Sequence, residues 1–377
     1  MTWLGWLALG VSIVAIAFAV RANLKLAVLR RRIDELAAVP QVSAPVTVVG
    51  EKRRVAVVYN PIRVGDLDEL TNLVEQAAMD AGYGEPVWFA TTEEDPGAGQ
   101  ARRALALDPA VVIAAGGDGT IRRVAGQVAG SRATLGILPV GTGNLLARNL
   151  DLPLNSQLRD LVSVAVTGRL RRIDLGWIRG EAPLRDDIAE LRKSHPAAQP
   201  FEGQEPFLVI AGMGFDAEVM GGADHQLKKT MGWAAYIFSG LRYLRSGRVR
   251  ARVTLGGASR ADVEARSILF ANCARLPAGF DLSPDTRLDD GWLDLMIVDT
   301  KGGIIGWGDL VRRVSMQSIG VRRDVLPEVG SIRRRRMQSV KVVADDLELV
   351  EADGDVLGYT REVTAFIEAG ALQVHVL

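Results

Sequence analysis

The stretch Val111–Leu150, VVIAAGGDGTIRRVAGQVAGSRATLGILPVGTGNLLARNL, constrains this chain more than any other. Two short apolar runs, Val111–Ala115 and Leu135–Val140, each end in a glycine-rich turn: Gly116-Gly117-Asp118-Gly119-Thr120, then Gly141-Thr142-Gly143-Asn144. Each turn leads into a helix-compatible segment. Uninterrupted apolar runs that alternate with helices read as strands buried on both faces of a parallel sheet. Ligands of such sheets sit at the carboxyl ends of the strands, where both turns fall. Glycine lets backbone N–H groups come close to an anion, and a following helix N-terminus favours negative charge. Two such turns in succession suit a polyphosphate. Asp118 has the chemistry to hold Mg²⁺ or its waters, and the Thr hydroxyls to bond phosphate oxygens. The chain has no Gly-Lys-Ser or Gly-Lys-Thr loop, and no GxGxxG opens a helix after a strand.

The flanking pattern extends the sheet. Val55–Tyr59 reads as a strand closed by Asn60-Pro61, Asp66–Gly82 as a helix with one apolar stripe, Val87–Ala90 as a strand followed by Thr91-Thr92, and Gly99–Leu107 as a short helix. This βαβαβα order predicts an open parallel, Rossmann-like sheet with right-handed crossovers over residues 54–168. From residue 169 onward the texture changes to many short alternating segments: Arg171–Ile178, Pro206–Gly212, Arg248–Leu255, Ala265–Cys273, Trp292–Val298, Val340–Val343, Leu347–Val350, Val363–Ile367 and Leu372–Leu377. They predict a β-sandwich-like domain over residues 169–377 whose last strand returns to the first domain. Two helices, near Leu227–Ser246 and Ile304–Ser318, interrupt it. Gly180–Glu205 is polar and proline-bearing, and reads as a surface insertion without chemistry.

Residues 1–22 carry a different signal. Trp3–Val20 is an uncharged run of 18 residues with Trp3 and Trp6 at one end and Arg21, Lys25 and Arg30-Arg31-Arg32 beyond the other. Only Met1 and Thr2 precede it, so the basic n-region of a cleaved signal is missing. The reading is a transmembrane anchor, with the N-terminus outside and the body in the cytoplasm by the positive-inside rule. Residues 23–53 read as a basic amphipathic helix and a linker. Arg322-Arg323 and Arg333–Arg336 concentrate positive charge locally; a contact with anionic membrane and a solvated loop are equal readings. Overall, Lys plus Arg equals Asp plus Glu at 45 each, which argues against a nucleic-acid binder working by bulk charge. A single Cys273 excludes an internal disulfide, and three scattered histidines offer no visible zinc site.

GGDGT followed by PVGTGN resembles the catalytic domain of the diacylglycerol kinase family, which includes sphingosine, ceramide and bacterial lipid kinases; NAD kinase is a more distant likeness. Further pieces stand in the family's order: Tyr59-Asn60-Pro61, Gly212–Ala217, Leu288–Asp294 and Asp353-Gly354-Asp355. The resemblance implies an ATP-dependent kinase acting on the hydroxyl of a diacylglycerol-like or sphingoid lipid, with Mg²⁺, at a membrane. It implies a nucleotide site of Asn60, Pro61, Thr92 (with Thr91 the alternative), Gly116–Thr120 and Gly141–Asn144. Asp353 and Asp355 correspond to the family's Asp-Gly-Glu, whose acids act as general base. Asp355 is one methylene shorter than Glu, a reach smaller by about 1.5 Å. Leu288-Asp289-Asp290-Gly291 resembles a structural Mg²⁺ site in which the Asp290 side chain and the carbonyls of Arg287 and Trp292 are ligands. Asp118 would meet a second Mg²⁺ arriving with ATP. Where the family has Asn-Glu shortly after GGDGT, this chain has Arg122-Arg123. Two other readings stay open: a catalytically silent, membrane-anchored lipid- or nucleotide-binding scaffold, and an NAD kinase. Homo-oligomerisation is also open.

Overall fold

The computed structural model describes residues 53–215, 248–256, 259–273, 275, 286–300 and 330–377. The anchor Trp3–Val20, the juxtamembrane segment and linker, the helices expected near Leu227–Ser246 and Ile304–Ser318, Asp216-Ala217 and Arg322-Arg323 lie outside these residues. Among the described residues no helix is long and apolar enough to cross a membrane.

Strands β1 (Arg54–Tyr59), β2 (Gly84–Ala90), β3 (Val111–Gly116) and β4 (Thr134–Pro139) form a parallel sheet in the order β2-β1-β3-β4. Every residue of β3 and β4 is buried, as apolar runs covered on both faces must be. One face is covered by helices α2 (Ala98–Leu105) and α3 (Asp118–Val128), whose Ala101, Ile121 and Val124 pack with Val112, Ala114 and Ile137. The other is covered by α1 (Leu67–Asp80) and α5 (Leu158–Thr167), which meet Val55, Val57 and Ile113 through Leu70, Val74, Val162 and Val166. Helix α1 is started by Asp66, whose carboxylate accepts from the Glu69 N–H at 2.9 Å. Between β4 and α5 lies the single turn α4 (Leu145–Asn149).

Beyond α5 come β5 (Arg169–Gly180), α6 (Arg185–Ser194), β6 (Gly203–Phe207), β7 (Ile210–Phe215), β8 (Val249–Leu255), β9 (Ser259–Ala265), β10 (Ser267–Ala271), β11 (Leu293–Thr300), β12 (Gly330–Met337), β13 (Ser339–Ala352) and β14 (Asp355–Val376). Strand β14 joins the two halves. Its first part pairs antiparallel with β13, its later part with β5, and its end runs parallel to β4 at Val374. The β-rich half is therefore continuous with the parallel sheet, in the order β12-β11-β10-β7-β13-β14-β4.

The strand pattern departs from the sequence reading in four places. Leu347–Val350 and Val340–Val343 belong to one strand, β13, because a register shift between Val343 and Glu348 absorbs the polar Asp345-Asp346 that looked like a break. Val363–Ile367 and Leu372–Leu377 likewise merge in β14, where the shift between Glu368 and Leu372 places Gly370 at φ +60°. The run Pro206–Gly212 splits into β6 and β7 at Leu208-Val209. The arginine quartet is an edge strand, β12, rather than a loop. Strand alternation exposes Arg333 and Arg335, while Arg334 grips the fully buried Asp294 through two bonds of 2.9 and 2.8 Å.

Candidate active site

The carboxyl ends of β1, β2, β3 and β4 come to one edge. The Asn60 N–H donates to Ala115 O at 2.9 Å, the Thr91 N–H to Tyr59 O at 2.8 Å, and the Val140 N–H to Gly116 O at 3.1 Å. Asn60 Oδ1 accepts from the Ile62 N–H at 3.0 Å, which shapes the turn containing exposed Pro61. Of the two threonines after β2, Thr91 is buried and Thr92 is exposed, its hydroxyl accepting from the Asp95 N–H at 3.1 Å.

The two glycine turns touch. A Cβ on Gly141 would lie 2.7 Å from the Gly117 Cα, so this approach requires glycine. Asn144 sits at φ +50° and its Oδ1 accepts from the Gly141 N–H at 3.1 Å. Asp118 ties one turn to the other: Oδ2 accepts from the Asn144 N–H at 2.9 Å and Oδ1 from the Leu145 N–H at 2.6 Å. It thereby caps α4 while standing at the head of α3. Each of its oxygens keeps a second lone pair, which leaves room for a cation carried by a nucleotide.

Burial, with the charges of Asp353 and Asp355 nearby, pushes the Asp118 carboxyl up to about 6, against the two backbone donors. The folded chain then takes up a proton between the ordinary carboxylate range and about 6 that the unfolded chain does not. The stability that proton uptake confers is complete at low pH and is lost as pH rises through 6. We expect the melting temperature of the wild type, measured relative to Asp118→Asn, to decline by a few degrees from pH 5 to pH 7. A flat difference would show that Asp118 does not titrate in this window.

The third acidic cluster is a hairpin turn with two different carboxylates. Asp353 and Gly354 are the two residues between paired Ala352 and Asp355, at φ +48° and +85°. Positive φ at both central positions is what a two-residue hairpin of type I′ requires. The Asp353 side chain is buried and accepts from the N–H groups of Leu208 (2.7 Å), Val209 (2.9 Å) and Ile210 (2.9 Å). Burial pushes its carboxyl up, while these donors and the Arg122 guanidinium pull it back. Sequence reading placed Asp353 with Asp355 as a catalytic acid; the geometry gives it the task of fixing the β6–β7 corner.

Asp355 is placed differently. Its side chain is 40% exposed and its Oδ2 lies 2.7 Å from where a Cβ on Gly119 would stand, against the first glycine turn. Oδ2 accepts from Arg122 Nη2 at 3.1 Å, and Oδ1 has no hydrogen-bond partner among the described residues. Arg122 also donates through Nη1 to Glu205 Oε2 at 3.0 Å and to Pro206 O at 3.1 Å. Glu205 ends the segment read as an inert insertion, so that segment does reach the site. Sequence reading assigned nothing to Arg122 or Glu205, because their partners lie 83 and 233 positions away along the chain.

The LDDG loop is anchored by Asp174, whose two oxygens accept from the Gly291 N–H at 2.6 Å and the Gly370 N–H at 2.7 Å. Asp290 Oδ1 accepts from the Trp292 N–H at 3.1 Å, and Oδ2 is paired with Arg336. Asp289 is paired with Arg171 at 2.8 Å. No three His, Cys, Asp or Glu side chains converge as metal ligands among the described residues. At the Asp290, Arg287 and Trp292 set the positive charge of Arg336, paired with the Asp290 carboxylate, disfavours a divalent ion, although each carboxylate oxygen keeps a second lone pair. Without nucleotide, millimolar Mg²⁺ should shift the melting temperature by less than about 1 °C, since only a ligand that binds the folded state raises it. A saturable rise of several degrees that vanishes in Asp290→Asn would restore the metal site.

Two abutting glycine turns at the carboxyl edge of a parallel sheet, faced by an open carboxylate from a β-rich half, define a nucleotide-dependent phosphotransferase. The comparisons agree. Residues 54–178 match the diacylglycerol kinase catalytic domain, and residues 209–376 match the YegS C-terminal NAD kinase beta sandwich-like domain. A Pseudomonas aeruginosa protein named "Probable lipid kinase YegS-like" is 31% identical over 295 residues, covering 74% of this chain and 81% of that one. The diacylglycerol kinase of Bacillus subtilis is 30% identical over 253 residues, covering 65% and 74%. A crystal structure of a diacylglycerol kinase from Bacillus anthracis shares the fold, with a TM-score of 0.62 at 19% identity, over 86% of this chain and 97% of that one. The chain belongs to the diacylglycerol kinase catalytic-domain family of lipid kinases and is a kinase.

Proposed function

We propose that this kinase transfers the γ-phosphate of ATP to the hydroxyl of a diacylglycerol-like or sphingoid lipid at a membrane, with Asp355 as general base. One observation carries the reading. Of the three acids gathered at the glycine turns, Asp118 and Asp353 have both oxygens engaged by backbone N–H groups, whereas Asp355, against Gly119, keeps Oδ1 without a hydrogen-bond partner among the described residues. Phosphoryl transfer asks the protein for positioning and charge stabilisation, and a hydroxyl acceptor asks in addition for a base within hydrogen-bond reach.

The phosphates would lie over Gly116–Thr120 and Gly141–Asn144, where backbone N–H groups and the start of α3 favour anions. Asn60 and the Thr91-Thr92 turn border the same edge. Mg²⁺ bound with the nucleotide would neutralise charge on the transferring phosphate, with Asp118 the carboxylate nearest the turns. The lipid hydroxyl would approach Asp355 Oδ1, which takes its proton as the oxygen attacks. A bilayer-embedded acceptor agrees with the apolar run Trp3–Val20, which would hold the body at the cytoplasmic face.

The test is transfer of labelled phosphate from ATP, with Mg²⁺, into diacylglycerol or sphingosine presented in vesicles by the full chain. A labelled lipid, formed by protein that co-floats with the vesicles, is the expected result. ATP binding without any labelled lipid would show that the acceptor is neither a diacylglycerol nor a sphingoid lipid.

A further inference from the structure

We infer that Arg122 is a positioning residue of the reaction: it sets the Asp355 carboxylate against the first glycine turn so that one oxygen faces the acceptor. The inference rests on the reading of Asp355 as base.

Arg122 lies in the second turn of α3 and its side chain is 0% exposed, among the largest fully buried side chains. It cannot touch a phosphate or a lipid from there. A guanidinium taken wholly out of water is costly unless its partners are held in good geometry. Its fork is held by Glu205 Oε2 and Pro206 O at Nη1, and Nη2 is directed to Asp355 Oδ2. Glu205 is also within 3.5 Å of Arg123 Nη1. The fork thus bridges α3, the β6 segment and the start of β14, three parts of the chain that meet only in the folded protein. Arg122 is fixed from two sides, so the direction of its third bond is fixed as well.

Asp355 needs such a guide. It has a short side chain, it is the first residue of β14 after a two-residue turn, and among the described residues it has no backbone donor of the kind that holds Asp118 and Asp353. The Arg122 bond occupies Oδ2 and leaves Oδ1 without a hydrogen-bond partner among the described residues, on a side chain that is 40% exposed. Gly119 completes the arrangement, because any side chain there would collide with Oδ2. The two features that separate this chain from the resemblance drawn above, an arginine after GGDGT and an aspartate in the Asp-Gly-Asp turn, are bonded to one another.

A double-mutant cycle on the full chain tests the inference, with kcat, the KM for ATP and the melting temperature read for each variant. Arg122→Met should lower kcat by about 10- to 100-fold, the scale on which misplacing a reacting group acts, with the KM for ATP nearly unchanged. In the Asp355→Asn background the same change should lower kcat no further, because a residue that acts through Asp355 has nothing left to position. Arg122→Lys, with one of the donors restored, should recover part of kcat. Should Arg122→Met fail to fold, Glu205→Gln loosens the other end of the fork from a partly exposed position. It should cost a few-fold in kcat in the wild type and nothing in Asp355→Asn. Multiplicative losses in the double mutant, or an Arg122→Met enzyme as fast as wild type beside an inactive Asp355→Asn, would overturn the inference alone. A fully active Asp355→Asn would remove the base, and the inference with it.

Discussion

Asp355→Asn is expected to lower kcat by roughly 10²- to 10⁴-fold, the usual contribution of a general base, while ATP affinity stays within about twofold of wild type. The amide keeps the size of the carboxylate, and its oxygen can still accept from Arg122 Nη2, so the buried guanidinium is not left without a partner there. What it loses is the ability to take a proton. Two measurements check this: single-turnover transfer to lipid, and equilibrium binding of a non-hydrolysable ATP analogue. A loss of less than about fivefold in the chemical step would show that the acceptor hydroxyl is deprotonated elsewhere.

Asp353→Ala, two residues away, should act on stability instead, and strongly. It strips the acceptor from three N–H groups at Leu208, Val209 and Ile210 in a buried corner. Each buried donor left unsatisfied costs about 1–3 kcal/mol. Because the three share one carboxylate the costs do not simply add, and about 3–5 kcal/mol is expected, in the tail reserved for broken buried networks. For a body of this size that corresponds to a fall in melting temperature of roughly 10 °C. Asp353→Asn retains one acceptor oxygen and should lie between Asp353→Ala and wild type. A melting temperature for Asp353→Ala within about 2 °C of wild type would mean that the β6–β7 corner is held by other bonds. The pair separates the two roles: one acid fails in turnover with its fold intact, the other fails in folding.

The parallel half of the molecule was legible in the sequence because its signals are local. Val111–Ala115 and Leu135–Val140 are apolar without interruption, and a strand buried on both faces can be nothing else of that length. The glycine turns were legible for the same reason, since the contact of Gly141 with Gly117 excludes any side chain. The β-rich half was read less well. Strand β12 hid behind four consecutive arginines, of which Arg334 and Arg336 pair with Asp294 and Asp290 on the neighbouring segment. Asp345-Asp346 and Gly370 looked like turns because a bulge and a turn have the same local composition.

By itself, then, the sequence determined the open parallel sheet, the two glycine turns and the identity of the acidic clusters, all set by patterns a few residues long. Tertiary structure alone decided which donors reach each acid. Asp353 and Asp355 are near-equivalents on paper, one residue either side of Gly354. They become a structural acceptor and an open carboxylate only when Leu208–Ile210 and Arg122 arrive from positions about 145 and 233 residues away. A carboxylate's role is set by which donors reach it, and donors that distant in the chain leave no trace in its local sequence.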